Sequence, residues 1–132
     1  MVDLSTGAFS TVIDSGKNIG VSWIDANRFI YDQLNNNQHQ LMLYDFRISK
    51  SSDIGLATTL SKITSDKLGN FLYADLSEAG SDSIWKVDLS SGYKTKLYQF
   101  DSSIHPSYIF MVDQMIGLTN TSDNKLYLIT SF

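Results

Sequence analysis

No cysteine occurs anywhere in the 132 residues, and the only proline is Pro106. The first absence removes a disulfide framework and a thiolate metal site, and a cysteine-free chain fits the cytoplasm, the periplasm or the cell exterior equally. Long apolar runs are missing as well. The longest, Tyr108-Ile109-Phe110-Met111-Val112, is far short of the ~20 residues a membrane-spanning helix needs. The amino terminus, Met1-Val2-Asp3-Leu4-Ser5, offers neither the basic nor the apolar stretch of a signal peptide. Positive charge is scattered: ten Lys and Arg stand against fourteen Asp and Glu, for a net charge of −4. No basic stripe exists to track phosphates, so nucleic acid is not an expected partner.

The motifs of catalysis are absent too. The sequence has no His-Glu-Xaa-Xaa-His, no Gly-Xaa-Ser-Xaa-Gly and no Gly-Xaa-Gly-Xaa-Xaa-Gly. Gly16-Lys17 lacks the upstream glycine of a phosphate loop, and no alternating Asp and Asn close on Gly and Glu as a calcium loop would. Two histidines, His39 and His105, lie far apart and read as turn and loop residues, not metal ligands. The expectation is therefore a chain that is not an enzyme, with no catalytic residue, no metal ligand and no cofactor.

What is present suits a folded domain. Apolar residues make up 42% of the chain and aromatics 12%, too many for a disordered segment. A chain of this length supports one core and buries roughly two thirds of its unfolded surface.

Internal repetition is the strongest signal. Met1-Val2-Asp3-Leu4-Ser5-Thr6-Gly7 matches Lys86-Val87-Asp88-Leu89-Ser90-Ser91-Gly92, with Leu43-Tyr44-Asp45-Phe46 between them, so the aspartates are spaced 42 and 43 apart. A fourth copy, Leu126-Tyr127-Leu128-Ile129-Thr130, follows after a further 42, with Thr130 at the aspartate's place. A second register agrees: Phe29-Ile30-Tyr31 and Phe71-Leu72-Tyr73 are also 42 apart, behind Asp25 and Asp66, with a weaker copy behind Asp113.

One period holds four short β-branched and aromatic segments, expected at 19–24, 28–33, 40–46 and 54–60, separated by turn clusters such as Asp25-Ala26-Asn27 and Asn35-Asn36-Asn37-Gln38. The next period repeats the plan at 61–64, 71–74, 83–87 and 94–100. None is long enough for a helix. A period of ~40–45 residues with four antiparallel strands is the mark of a propeller blade, whereas a single immunoglobulin-like sandwich has no reason to repeat itself. The fold class expected is all-β: a β-propeller, as a partial array of about three four-stranded antiparallel blades. Residues 1–17 read as outer strands of one blade, 18–60 and 61–100 as whole blades, and 101–132 as an incomplete blade.

The segments Ser65-Asp66-Lys67-Leu68-Gly69-Asn70-Phe71-Leu72-Tyr73 and Val87-Asp88-Leu89-Ser90-Ser91-Gly92 resemble the blades of TolB-like propellers and of prolyl-oligopeptidase-type enzymes, which pair a Ser-Pro-Asp-Gly turn with a strand ending Asp-Leu and a glycine turn. The turn proline is missing throughout, and so are the Gly-His and Trp-Asp dipeptides of WD-type blades. The resemblance implies a fold and does not bring a function with it.

Asp25, Asp66 and Asp113 stand before apolar strands as turn-forming residues, and Gly7 and Gly92 as the positive-φ positions of tight hairpins. Aromatics such as Trp23 and Trp85 read as core, and the sequon Asn120-Thr121-Ser122 reads as chance.

Two functions are compatible with these features. The first is a non-catalytic interaction scaffold that docks a protein or ligand on a propeller face. The second is the accessory propeller of a hydrolase whose catalytic domain lies elsewhere. If a ligand binds, the loops between second and third strands are its expected seat, since they share one end of consecutive blades. Those loops hold His39, Glu78, Asp82 and Asp123. Because the repeat begins and stops within a third strand, the open flanks are expected to be covered by missing blades of a longer parent or by a second copy. Two copies would make a six-bladed homodimeric ring, with Phe9-Ser10-Thr11-Val12-Ile13 completing the partner's last blade.

Overall fold

The computed structural model of the chain describes residues 2, 3, 5, 6, 8, 9, 13 and 20–130. Over these residues every regular element is a strand, apart from one 3₁₀ turn at Leu60–Lys62. Strands β1 (Val2–Asp3) and β2 (Ala8–Phe9) pair with each other. Sheet I is β3 (Val21–Asp25), β4 (Arg28–Asn35), β5 (Gln38–Asp45) and β6 (Lys50–Asp53). Sheet II is β7 (Ile63–Ser65), β8 (Phe71–Glu78), β9 (Ser81–Asp88) and β10 (Lys94–Gln99). Sheet III has three strands, β11 (Pro106–Val112), β12 (Met115–Asn120) and β13 (Lys125–Ile129).

Every neighbouring pair is antiparallel and in chain order, the blade plan read from the repeat. The amino-terminal copy of the motif is only partly covered, since Met1, Leu4 and Gly7 lie outside the described residues. So do 10–12, the middle of the strand expected to complete a partner's blade, and 14–19.

Turn chemistry sets the register. Asn36 and Asn37 join the paired residues Asn35 and Gln38 with φ of 49° and 62°, and Ala79 and Gly80 join Glu78 and Ser81 with φ of 51° and 82°. Positive φ at both central residues is the type I′ geometry, whose twist matches that of the flanking strands. The repeated aspartates act at the other end of each sheet. Asp45 closes β5 and accepts the N–H of Arg47 at 2.9 Å; Asp88 closes β9 and accepts those of Ser90 and Ser91 at 2.8 and 3.0 Å. Asp25 accepts the N–H of Asn27 at 2.8 Å, and Asp66 that of Phe71 at 2.8 Å. A short acceptor at each of these positions ties the turn, which is why the period is marked by aspartate. Gly92 sits at φ 74° as the hairpin after Asp88 requires.

One expected strand is misplaced. The outer strand of sheet I is Lys50–Asp53, and residues 54–59 are instead the connector to sheet II. The polar run Lys50-Ser51-Ser52-Asp53 looks like a turn, yet an outer strand faces water and needs no apolar residue. The apolar Ile54 and Leu56 belong to the core: they bond to Leu41 through the main chain and pack between the sheets.

The core lies in two seams. Ile24, Ile30, Leu41, Leu56, Ile63, Leu72, Ala74 and Val87 fill the seam between sheets I and II. Tyr73, Ile84, Phe100, Ile109, Ile116 and Leu118 fill that between sheets II and III. Strand β8 serves both, sending Leu72 and Ala74 one way and Tyr73 the other, so its sequence is apolar without alternation. Gly117 lets the Phe110 ring lie flat on β12, where a Cβ would come within 2.5 Å of it.

Candidate functional site

In an antiparallel sheet with strands in chain order, the loops between second and third strands share one end with the connectors between sheets. That hairpin end holds the expected binding residues, in three different sheets. His39 is the second residue of β5, and its Nδ1 lies 2.7 Å from Asp32 Oδ2. Glu78 ends β8 and accepts a bond of 2.9 Å from Lys96 Nζ. Asp123 sits in the β12–β13 turn, accepting the N–H of Lys125 at 3.0 Å and the hydroxyl of Tyr127. Each is occupied by a neighbour of its own blade.

Asp82 departs from its expected place. It is not a solvated loop residue but the second residue of β9, and it is buried. The tight Ala79-Gly80 turn moves the strand start two residues closer than the loop-like Glu78-Ala79-Gly80-Ser81-Asp82 suggests. Sequence reasoning also missed the group around it. Asp75, wholly buried in β8, and Asp82 share the face of sheet II that meets sheet III. Lys62 Nζ lies 3.0 Å from Asp75 Oδ2 and 4.0 Å from Asp82 Oδ2, while His105 Nδ1, from the connector to sheet III, lies 3.1 Å from Asp82 Oδ2. Asp75 Oδ1 has no hydrogen-bond partner. The available signal was a carboxylate at the centre of Tyr73-Ala74-Asp75-Leu76, where a seam-facing strand has no ordinary use for one.

Burial pushes the Asp75 carboxyl above the usual carboxylate range, against the opposing pull of Lys62. A raised carboxyl is the kind of group an acid catalyst needs, but this one is 0% exposed and faces packed side chains. Its chemistry is that of an internal ion pair. Among the described residues no three His, Asp or Glu side chains converge on a point that could hold a metal ion, and no helix is long and apolar enough to cross a membrane. Asn120 of the sequon is 1% exposed, so its amide is not presented for glycosylation. Trp23, read as core, is 61% exposed.

No family model and no curated protein matches the sequence. Among solved structures, TolB from Acinetobacter baumannii superposes with a TM-score of 0.64 at 16% identity, over 95% of this chain and 35% of that one. The fold is a partial, TolB-like β-propeller. A second structure, the tricorn protease, gives a TM-score of 0.45 at 17% identity, over 86% of this chain and 13% of that one. The chain thus spans about a third of the length of the TolB structure it matches, and at this identity the likeness speaks for the fold alone.

Proposed function

We propose that the chain is a non-catalytic scaffold whose blades dock other protein surfaces. One observation carries the reading: the outer faces of sheets I and III have the character of the buried seams. On sheet I, Trp23, Phe29, Tyr44 and Phe46 cluster with ring centroids 5.1–6.0 Å apart, in stacked and edge-on pairs, and Val21 and Trp23 are open to solvent. On sheet III, Tyr108, Val112, Leu126 and Leu128 are open. A soluble surface of this kind is an interaction surface.

The natural cover for an apolar sheet face is another sheet, as in the two seams already formed. Further blades of a longer protein supply it, or a second copy in a six-bladed ring closed by two-fold symmetry. Size-exclusion light scattering separates these forms: twice 14.8 kDa supports the ring, and a stable monomer removes it. Turnover of ester or peptide substrates by the purified chain would overturn the non-catalytic reading.

A further inference from the structure

A cleft of about 310 Å³ opens at the hairpin end of sheet I. Asn36, Gln38 and Gln40 of the β4–β5 hairpin wall one side, and Asp53, Leu56 and Ala57 of the strand leaving β6 form the other side and floor. Leu56 is 3% exposed, so the base is a fixed apolar surface. Asp53 is held rigidly: Oδ1 accepts the N–H of Gly55 and Oδ2 the Nε2 of Gln40, both at 2.6 Å. Each oxygen keeps lone pairs for a further donor.

The lining excludes most ligand classes. No Lys or Arg lines the cleft itself, the Lys94 ammonium at its Gly55 edge is engaged by the Gly55 carbonyl at 2.7 Å, and the Nδ1 of His39 faces Asp32, so the lining itself turns no cation toward an anion. One carboxylate among carboxamides is too few charges for a bare divalent ion. The field of the whole end points the same way. It carries Asp32, Asp53, Glu78, Asp82, Asp101 and Asp123, with Asp75 buried behind them, against Lys62, Lys96 and Lys125. The opposite end carries Arg28, Arg47, Lys50, Lys67 and Lys86 against Asp25, Asp45, Asp66, Asp88 and Asp113, while the Lys94 head reaches back to the Gly55 carbonyl at the cleft, so the excess of negative charge lies at the hairpin end. An apolar floor with an acidic, amide-lined rim fits an amphipathic cation, whose methylene stem lies on hydrocarbon while its head is hydrogen-bonded.

We infer that this cleft receives an arginine or lysine side chain of an extended basic segment in a protein partner. The stem lies on Leu56 and Ala57, and the head reaches Asp53 and the carboxamide oxygens of Gln38 and Asn36. The acidic end draws the segment in, and its pull weakens with salt. The inference rests on the scaffold reading by naming what one part of that scaffold takes.

The test is an NMR titration of the isotope-labelled chain with three probes, acetyl-(Gly-Arg)₃-amide, acetyl-(Gly-Glu)₃-amide and acetyl-(Gly-Ser)₃-amide. The basic probe should shift the amides of Gln38, Gln40, Gly55 and Ala57, and the other two should not. Asp53→Asn, which keeps an acceptor for Gly55, should weaken the basic probe about tenfold by removing a charge-assisted contact, while Asp113→Asn at the opposite end should not. Equal shifts from the neutral probe, or unchanged affinity in Asp53→Asn with its spectrum otherwise intact, would overturn the inference. So would shifts from neutral oligosaccharides added at the same concentration with none from the basic probe. Light scattering on the same samples reads the outer faces separately, so a chain that stays monomeric but shows these shifts retains the cleft and loses only the ring.

Discussion

The two seams beside sheet II use the same pair of strands and are built from different materials. Toward sheet I, β8 and β9 present Leu72, Ala74 and Val87, and one polar link across that seam is at its far end, where Arg28 Nη2 donates to the Gly69 carbonyl at 2.6 Å. Toward sheet III the same strands present Tyr73 and Ile84 together with Asp75 and Asp82, which meet Lys62 Nζ and His105 Nδ1. The first seam is held by buried area and shape, which do not titrate. The second adds charges that have left water and must keep their partners. The first should therefore respond to lost volume, and the second to lost charge balance and to pH.

The largest effect is expected in the first seam. Leu72→Ala removes a fully buried side chain and should cost about 2–5 kcal/mol, the range for leucine truncation in a packed core. Urea unfolding with an unchanged slope measures it. A cost below about 1 kcal/mol would mean that the seam collapses around the gap and is not the rigid core described.

The second seam should yield less to truncation and more to charge. Lys62→Met leaves Asp75 facing no cation. Breaking a wholly buried pair costs about 3–5 kcal/mol, and since the Lys62 side chain is 28% exposed, about 1–3 kcal/mol is expected after allowance for solvent. Adding Asp75→Asn should recover much of that loss, because the stranded charge is gone. Additive losses in the double variant would show that the two groups are not coupled.

The pH dependence separates the seams further. Burial raises the Asp75 carboxyl above its ordinary value of 3.8, so in the window above 3.8 the folded chain holds a proton that the unfolded chain has released. Stability from this group is full below 3.8 and falls as pH rises through the raised value. Asp75→Asn should remove that fall, gaining on the parent chain as pH rises from 4 into the neutral range, while the Leu72→Ala penalty should stay constant. A pH-independent difference between Asp75→Asn and the parent would contradict the burial of a titrating carboxyl.

Much of this fold is legible in the sequence because the repeated features are local. Asp25, Asp45, Asp66 and Asp88 each bond a backbone N–H a few residues on, so Asp45 and Asp88 declare their turns without reference to the rest of the molecule. Apolar, β-branched strands such as Phe29-Ile30-Tyr31 announce a sheet with both faces covered. The outer strand Lys50–Asp53 was hidden because being a strand there depends only on pairing with β5, and its polar side chains carry no pattern. The hairpin end was legible as a place and not as a set of contacts. That His39, Glu78 and Asp123 lie there follows from strand order, but that Asp82 is buried with Asp75, Lys62 and His105 depends on how sheet III meets sheet II. Residues spread from 62 to 105 supply that group, and no local pattern records their meeting. The cleft at Asp53 has the same origin, since its two walls are a hairpin and a connector that only tertiary packing brings together.

The smallest expected effect belongs to the turn aspartates, and its sign is opposite to that of Asp75. The Arg47 guanidinium beside Asp45 holds that carboxyl down at about 2, and the Ser90 hydroxyl with the N–H groups of Ser91 and Ser90 holds Asp88 down at about 2. A lowered carboxyl is ionised in the folded chain at a pH where the unfolded chain has taken up a proton. These two groups therefore contribute stability above 3.8 that is lost as pH falls toward 2. Both sit in surface turns and are partly exposed, so the contribution is screened and should shrink further in molar salt. Acid unfolding followed from pH 5 to pH 2 should begin at higher pH in parent than in Asp88→Asn when each is normalised to its own stability at pH 5, because the variant has no carboxylate there to neutralise. An identical acid profile in the variant would mean that the Asp88 turn bonds do not differ in strength between carboxylate and carboxyl.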